Sequence, residues 1–386
     1  MKKVLVLGAA FALIASTVSA DIKLTNTFGG NEDYLGGNDF MSWNRKADDA
    51  TTTDRDEAEE FQSSYDVSVN DRLQADVSCE KFDGRIRLEF ENQNLSGKNS
   101  QARLRGYGRF TPIEQIQFAA GNEFFDRFAI PAAYLAATDD TYTYGVMASS
   151  GLAFCANVSG FRFVADLAGD SKADDAENLG LNFGFDGSVG DVVNMGATFK
   201  NVTSENPTFG VFAGHAQENF ILNAGYIYDN IDIASYTSAV GMGTKVGWKH
   251  TMQASVGYGF TDIGLVLAAD VISGLTNECI IDGDTEKMEY DDKDLYPFYT
   301  KIAAGYGLTE NLKLNGSVSL FTIIGLDYSA QVTVFPSVEY TLPENMGSLI
   351  AGVRLAFNDA KENDGLQKIT IPLCWQWTIL DSKSSK

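Results

Sequence analysis

Basic residues are scarce in this chain: 29 Lys and Arg stand against 52 Asp and Glu, a formal net charge of -23. A phosphate backbone demands clustered Lys and Arg, so nucleic-acid binding is excluded. Proline is rarer still, with 7 in 386 residues, while apolar side chains make up 44%. That combination is the opposite of a disordered composition. The 2 histidines, His215 and His250, sit in no recognisable nucleophile or metal motif, which argues against an enzyme and against a cofactor. The 4 cysteines, Cys79, Cys155, Cys279 and Cys374, lie far apart, with no Cys-x-x-Cys spacing for zinc or redox chemistry. Three disulfide pairings are open to them, and the simplest reading leaves them unpaired. Past residue 20 no apolar run approaches the roughly 18 to 20 residues that a membrane helix needs.

What the chain does contain is glycine (37) and aromatic residues (25 Phe, 16 Tyr and 4 Trp). It also opens on an address. Lys2 and Lys3 precede the apolar stretch from Val4 to Ala15, and Val18-Ser19-Ala20 supplies the small residues that signal peptidase accepts. Residues 1–20 are thus a predicted secretory signal, cleaved before Asp21, and 21–386 a single exported domain.

Within that domain apolar residues recur at every second position. Leu104, Gly106, Gly108 and Phe110 alternate with Arg103, Arg105, Tyr107 and Arg109; Ile369, Ile371, Leu373, Trp375, Trp377 and Ile379 alternate with Thr370, Cys374, Gln376 and Thr378. This is the strand period, with one apolar face and one polar or small face. Such segments of about ten residues separated by turns are the signature of a transmembrane β-barrel. We read eighteen of them between residues 22 and 380, an even number as a bacterial barrel requires. Two are long, 61–82 and 141–158; internal turns at Asn70-Asp71 or Ser150-Gly151 would alter the count, so sixteen to twenty strands fit.

The connections fall into two chemical classes. One is short, including Asp83-Gly84, 111–114, Ser159-Gly160 and 217–219, with an acidic residue, then Asn or Gln, then an apolar residue recurring at Glu114-Gln115-Ile116, Glu218-Asn219-Phe220, Glu310-Asn311-Leu312 and Glu344-Asn345-Met346. The other is mostly longer and acidic: 29–60, 169–178, 272–295 and 358–365. Short turns at one end and long loops at the other are what outer-membrane barrels show. Asp282-Gly283-Asp284 opens like a calcium loop, but the later ligand spacing fails.

With these features the mature chain resembles the bacterial outer-membrane porins, in architecture over its whole length and locally around 101–140, as an atypical, spirochaete-type member. The resemblance implies an all-β, closed antiparallel barrel in the outer membrane, in contact with its lipid. It implies a water-filled channel for passive diffusion of small hydrophilic solutes and ions, and leaves a homo-oligomer open. In such porins the loop after the fifth strand folds inward and narrows the pore; here that segment is 122–140, which carries Glu123, Asp126 and Arg127. Many such barrels end in an aromatic residue that the barrel assembly machinery reads. This chain runs on to Lys386, and Trp375 and Trp377 are the candidate substitutes.

If Ile86, Leu88 and Phe90 face lipid, then Arg85, Arg87, Glu89 and Glu91 face the lumen, and the next strand adds Arg103, Arg105, Tyr107 and Arg109. An arginine on the lipid side would cost about 2 to 4 kcal/mol near the midplane, which enforces this phase. The expected pore lining is therefore Arg85, Arg87, Glu89, Arg103, Arg105, Tyr107, Arg109, Glu123 and Asp126. The competing function is a surface adhesin or structural barrel whose acidic outer loops contact a partner.

Overall fold

The computed structural model describes residues 21–28, 39–45, 61–62, 69–92, 100–122, 150–169, 179–190, 192–200, 202–203, 207–232, 246–281, 284–287, 289–290, 293–325, 330–343, 346–358 and 365–381. Among them, 18 strands close an antiparallel barrel. They are β1 Asp21–Phe28, β2 Val69–Cys79, β3 Phe82–Asn92, β4 Ser100–Ile113, β5 Ile116–Asn122, β6 Ser150–Val158, β7 Phe161–Gly169, β8 Leu179–Val189 and β9 Val193–Lys200. β10 Thr208–Gln217, β11 Phe220–Asp232, β12 Val246–Phe260, β13 Leu265–Gly274, β14 Tyr296–Gly307, β15 Leu312–Ile324 and β16 Gln331–Thr341 follow. β17 comes in two pieces, Ser348–Gly352 and Arg354–Asn358, and β18 Gly365–Asp381 pairs with β1 to close the ring.

The alternation read in the sequence becomes two faces. Leu104, Leu152 and Ile302 are 58%, 62% and 63% exposed, and lie on the outward face with Phe118, Leu222, Met252, Val318 and Val338. Exposed apolar residues at every second position around a closed barrel form a belt that only lipid covers favourably. Aromatic side chains gather toward both ends of the belt. Tyr258 and Phe260 (rings 4.7 Å apart) and Trp375 and Trp377 (4.6 Å) lie toward the short-turn end, where β1 begins and β18 stops. Phe209 stacks on Tyr228 at 5.1 Å toward the other.

The short turns are set by local chemistry. Ser159 and Gly160 both have positive φ, 52° and 83°, the mirror-image turn whose twist matches two right-twisted strands. Glu114-Gln115 and Glu218-Asn219 turn directly into Ile116 and Phe220, as the repeat implied.

Several expected boundaries are corrected. The β2–β3 turn is Glu80-Lys81 rather than Asp83-Gly84, because Cys79 pairs with Phe82 and Gly84 lies inside β3. Gly84 meets a close approach there: a Cβ would stand 2.9 Å from the Tyr107 carbonyl oxygen. Residues 111–113 extend β4 instead of turning. The segment 61–82 is not one strand: Phe61–Gln62 pairs with Asp39–Arg45, which in turn lies along β18, and the barrel strand begins at Val69. In 141–158 the strand begins at Ser150, and 141–149 lie outside the described residues. The expected loop 272–295 contains a hairpin, Glu278–Ile281 with Asp284–Lys287, that extends the wall from β12.

Candidate functional site: a charged sector of the lumen wall

The inward faces of β2, β3 and β4 form a grid. Register sets Arg72 opposite Glu89, Gln74 opposite Arg87 and Asp76 opposite Arg85. On the other side of β3, Arg103 faces Glu89, Arg105 faces Arg87, Tyr107 faces Arg85 and Arg109 faces Asp83. Opposite charges meet at Arg72–Glu89–Arg103, Asp76–Arg85 and Asp83–Arg109, like charges at Arg87–Arg105, and the side chains connect the grid. Arg72 donates through Nε to Glu89 Oε1 at 3.0 Å, Arg105 Nε reaches Glu89 Oε2 at 3.4 Å, and Arg87 Nη1 stands 3.9 Å from Oε1. Arg87 donates from Nε and Nη2 to Gln74 Oε1 (3.1 and 2.9 Å), and Gln74 Nε2 donates to Asp76 Oδ2 at 2.7 Å. Asp76 Oδ1 accepts from Arg85 Nε at 2.7 Å. The guanidinium carbons of Arg85 and Arg109 stand 5.8 and 5.1 Å from the centre of the Tyr107 ring, and Arg109 Nε ends the series on Asp83 Oδ1 at 2.6 Å. Seven residues of β3 separate Glu89 from Asp83 inclusively, so at about 3.3 Å per residue the network runs roughly 20 Å along the wall.

Among the described side chains, six arginines (72, 85, 87, 103, 105, 109) share this sector with three carboxylates (Asp76, Asp83, Glu89); Glu91, on the same face of β3, adds one carboxylate by parity and leaves arginine in surplus. Accessibility grades along it. The Arg87 and Glu89 side chains are 4% and 9% exposed, whereas those of Arg85, Asp76, Arg105, Arg109 and Asp83 are between 25% and 34% exposed and stand open to water.

The rest of the inner wall differs. Next to the charged sector, Tyr107 packs against a small apolar cluster that includes Ala119, Cys155, Val164 and Phe212. Beyond it Arg162 pairs with Asp186 (Nη2 to Oδ2, 2.8 Å), and Asn182 donates to Asp166 at 2.5 Å. Farther round, Asn223 Nδ2 donates to Ser255 Oγ at 3.3 Å between β11 and β12, and Asp270 on β13 lies opposite Lys301 on β14. Among the described side chains, arginine outnumbers carboxylate on the β2–β4 sector, whereas Arg162 with Asp186 and Lys301 with Asp270 stand one to one.

Of the expected lining residues, Arg85, Arg87, Glu89, Arg103, Arg105, Tyr107 and Arg109 share the inward face, while Glu123 and Asp126 lie outside the described residues. Arg72, Gln74, Asp76 and Asp83 belong to the site and were not among those expected. Their signal is in the sequence: with the odd residues of β2 outward, the even ones face the lumen, and only the glycine after Asp83 makes that residue read as a turn. His250 is not in the lumen. It lies on the outer aromatic cluster, where its Nδ1 is 2.6 Å from the Tyr226 hydroxyl. Cys79, Cys155 and Cys374 are free thiols.

Comparison with solved structures places this geometry. Acinetobacter baumannii OccAB3 superposes with a TM-score of 0.56 at 10% identity over 93% of this chain and 99% of that one. The fold is that of bacterial outer-membrane porins. Pseudomonas aeruginosa OccK3 (OpdO) gives 0.55 at 9% identity over 94% and 97% of the two chains, and OccK5 (OpdH) gives 0.54 at 11% over 94% and 98%. No family model matches the sequence, and no curated protein matches it. The likeness lies in the barrel as a whole, an outer-membrane architecture with an apolar belt outside and polar groups within.

Proposed function

We propose that this chain is an outer-membrane porin, exported by residues 1–20 and folded from 21–386, that lets small hydrophilic solutes and ions diffuse passively through its lumen. One observation carries the reading: a continuous series of charged groups lies on the inner face of a closed barrel whose outer face is apolar. Charged groups inside a wide barrel serve a water-filled path, since a sealed core would favour apolar packing. The surplus of arginine over carboxylate on one sector favours small anions, and Tyr107 spaces two of its guanidiniums. Glu123 and Asp126 are proposed to face that sector and complete the constriction. Trp375 and Trp377, outward on the closing strand, are proposed as the feature the barrel assembly machinery reads.

Solute flux tests the reading. Liposomes carrying the purified mature chain should swell in small sugars and salts and exclude large oligosaccharides. A folded, inserted barrel that passes none of them would contradict the channel and favour a structural or adhesive role.

A further inference from the structure

We propose that Glu89 tunes the ion selectivity of the lumen, limiting the anion preference of the arginine sector by holding three guanidiniums against the wall and cancelling part of their charge. The proposal rests on the channel reading and assigns within it a role that the arginines alone do not explain.

The three carboxylates of the sector are not equivalent. Asp76 accepts from Arg85 and Gln74, and Asp83 from Arg109, and both are about 30% exposed. Glu89 uses both oxygens, Oε1 toward Arg72 and Arg87 and Oε2 toward Arg105, and its side chain is 9% exposed. Three positive charges converge on one buried negative charge. Like charges at such range repel, so the carboxylate decides where the three guanidiniums rest. Arg105 is the most open of them, with a side chain 34% exposed, and its Nε lies 3.4 Å from the buried Glu89. Removing the Glu89 charge raises the surplus of the sector by one and loosens Arg105 toward the water path. Both changes act in the same direction, toward anions.

The test is the reversal potential of the refolded mature chain in planar bilayers under a potassium chloride gradient. A unit charge about 7 Å from an ion in water changes the local ion population about threefold. Glu89→Gln is therefore expected to raise the chloride-over-potassium permeability ratio at least twofold, while Glu89→Asp, which keeps the charge, stays near the wild-type ratio. A charge balance makes a second arm. Arg72→Gln should shift the ratio toward potassium, and Arg72→Gln combined with Glu89→Gln should return it toward wild type, which reads the Glu89 effect in a second background. A conducting Glu89→Gln channel with an unchanged ratio overturns the assignment and leaves the channel reading intact. If Glu89→Gln fails to form a heat-modifiable barrel, the comparison of the Arg72 single and double variants decides. Failure of the double variant to assemble as well would make Glu89 a purely structural carboxylate. A folded wild-type barrel that carries no current overturns the channel reading itself.

Discussion

At the scale of residues, this barrel separates its charged groups from lipid by side-chain parity, and glycine keeps the strands close where they cross. Gly106 lies in β4 with Arg85 on the neighbouring strand, and a Cβ there would stand 2.7 Å from the Arg85 carbonyl oxygen. Gly106→Val should force β3 and β4 apart and disturb the rows that align Arg85 with Tyr107 and Arg87 with Arg105. Loss of the compact, fast-migrating species on unheated detergent gels at a lower temperature than wild type is the expected outcome. Gly160 poses a different constraint, since its φ of 83° belongs to a two-residue turn rather than to a crossing. Gly160→Val should destabilise the β6–β7 hairpin by about 1 to 3 kcal/mol, the range for a non-glycine residue held in that region. Equal unfolding temperatures for the variant and the wild type would show that this turn does not hold the hairpin.

Among the elements, β17 shows how a sequence rule acts at a distance. It breaks at Val353 because its two neighbours each carry a proline at that level. Val353 N–H donates to the Pro336 carbonyl at 3.0 Å, so an ordinary residue at 336 would donate back to Val353. One residue earlier the register sets Gly352 opposite Pro372, whose missing N–H would have served Gly352. Replacing Pro336 with Val and Pro372 with Thr should restore both donors, join the two pieces and raise the temperature at which the barrel unfolds on a gel. An unchanged or lower temperature would mean the break has another cause. Strand number and phase were legible in the sequence because lipid enforces period two so strongly that one misplaced arginine is costly. Boundaries were less so, since short extra strands such as Asp39–Arg45 and Phe61–Gln62 pair beside the barrel strands within segments that read as loop or as one long strand. The arginines of the site were visible for the same reason as the phase. Their carboxylate partners were not, because pairing depends on register: the turn at Glu80-Lys81 sets Asp76 beside Arg85 and brings Asp83 into β3, and the separate β3–β4 register sets it beside Arg109.

Taken whole, the molecule combines a strongly acidic chain with a locally basic lumen. Loop carboxylates in bulk solvent are screened within about 8 Å at physiological salt, whereas a charge on a narrow water path acts on every ion that passes. Local charge should therefore outweigh the net charge of -23. Neutralising the acidic residues between Asp48 and Glu60 is expected to change entry rates through weaker steering and to leave selectivity nearly unmoved. The same architecture predicts sidedness: β1 starts and β18 stops at the short-turn end, which is expected to face the periplasm. A membrane-impermeant label on intact cells should reach 29–60 and 272–295 and spare the short turns. The measurement closest to the central claim is the reversal potential of single channels formed by the mature chain and by its Arg103→Gln, Arg105→Gln, Arg109→Gln variant. The triple substitution leaves Arg72, Arg85 and Arg87 against Asp76, Asp83, Glu89 and, by strand parity, Glu91, which removes the arginine surplus. A conducting wild type that prefers anions, with a variant shifted toward cations, is the expected result; equal selectivity in the two would mean that these arginines do not govern the water path.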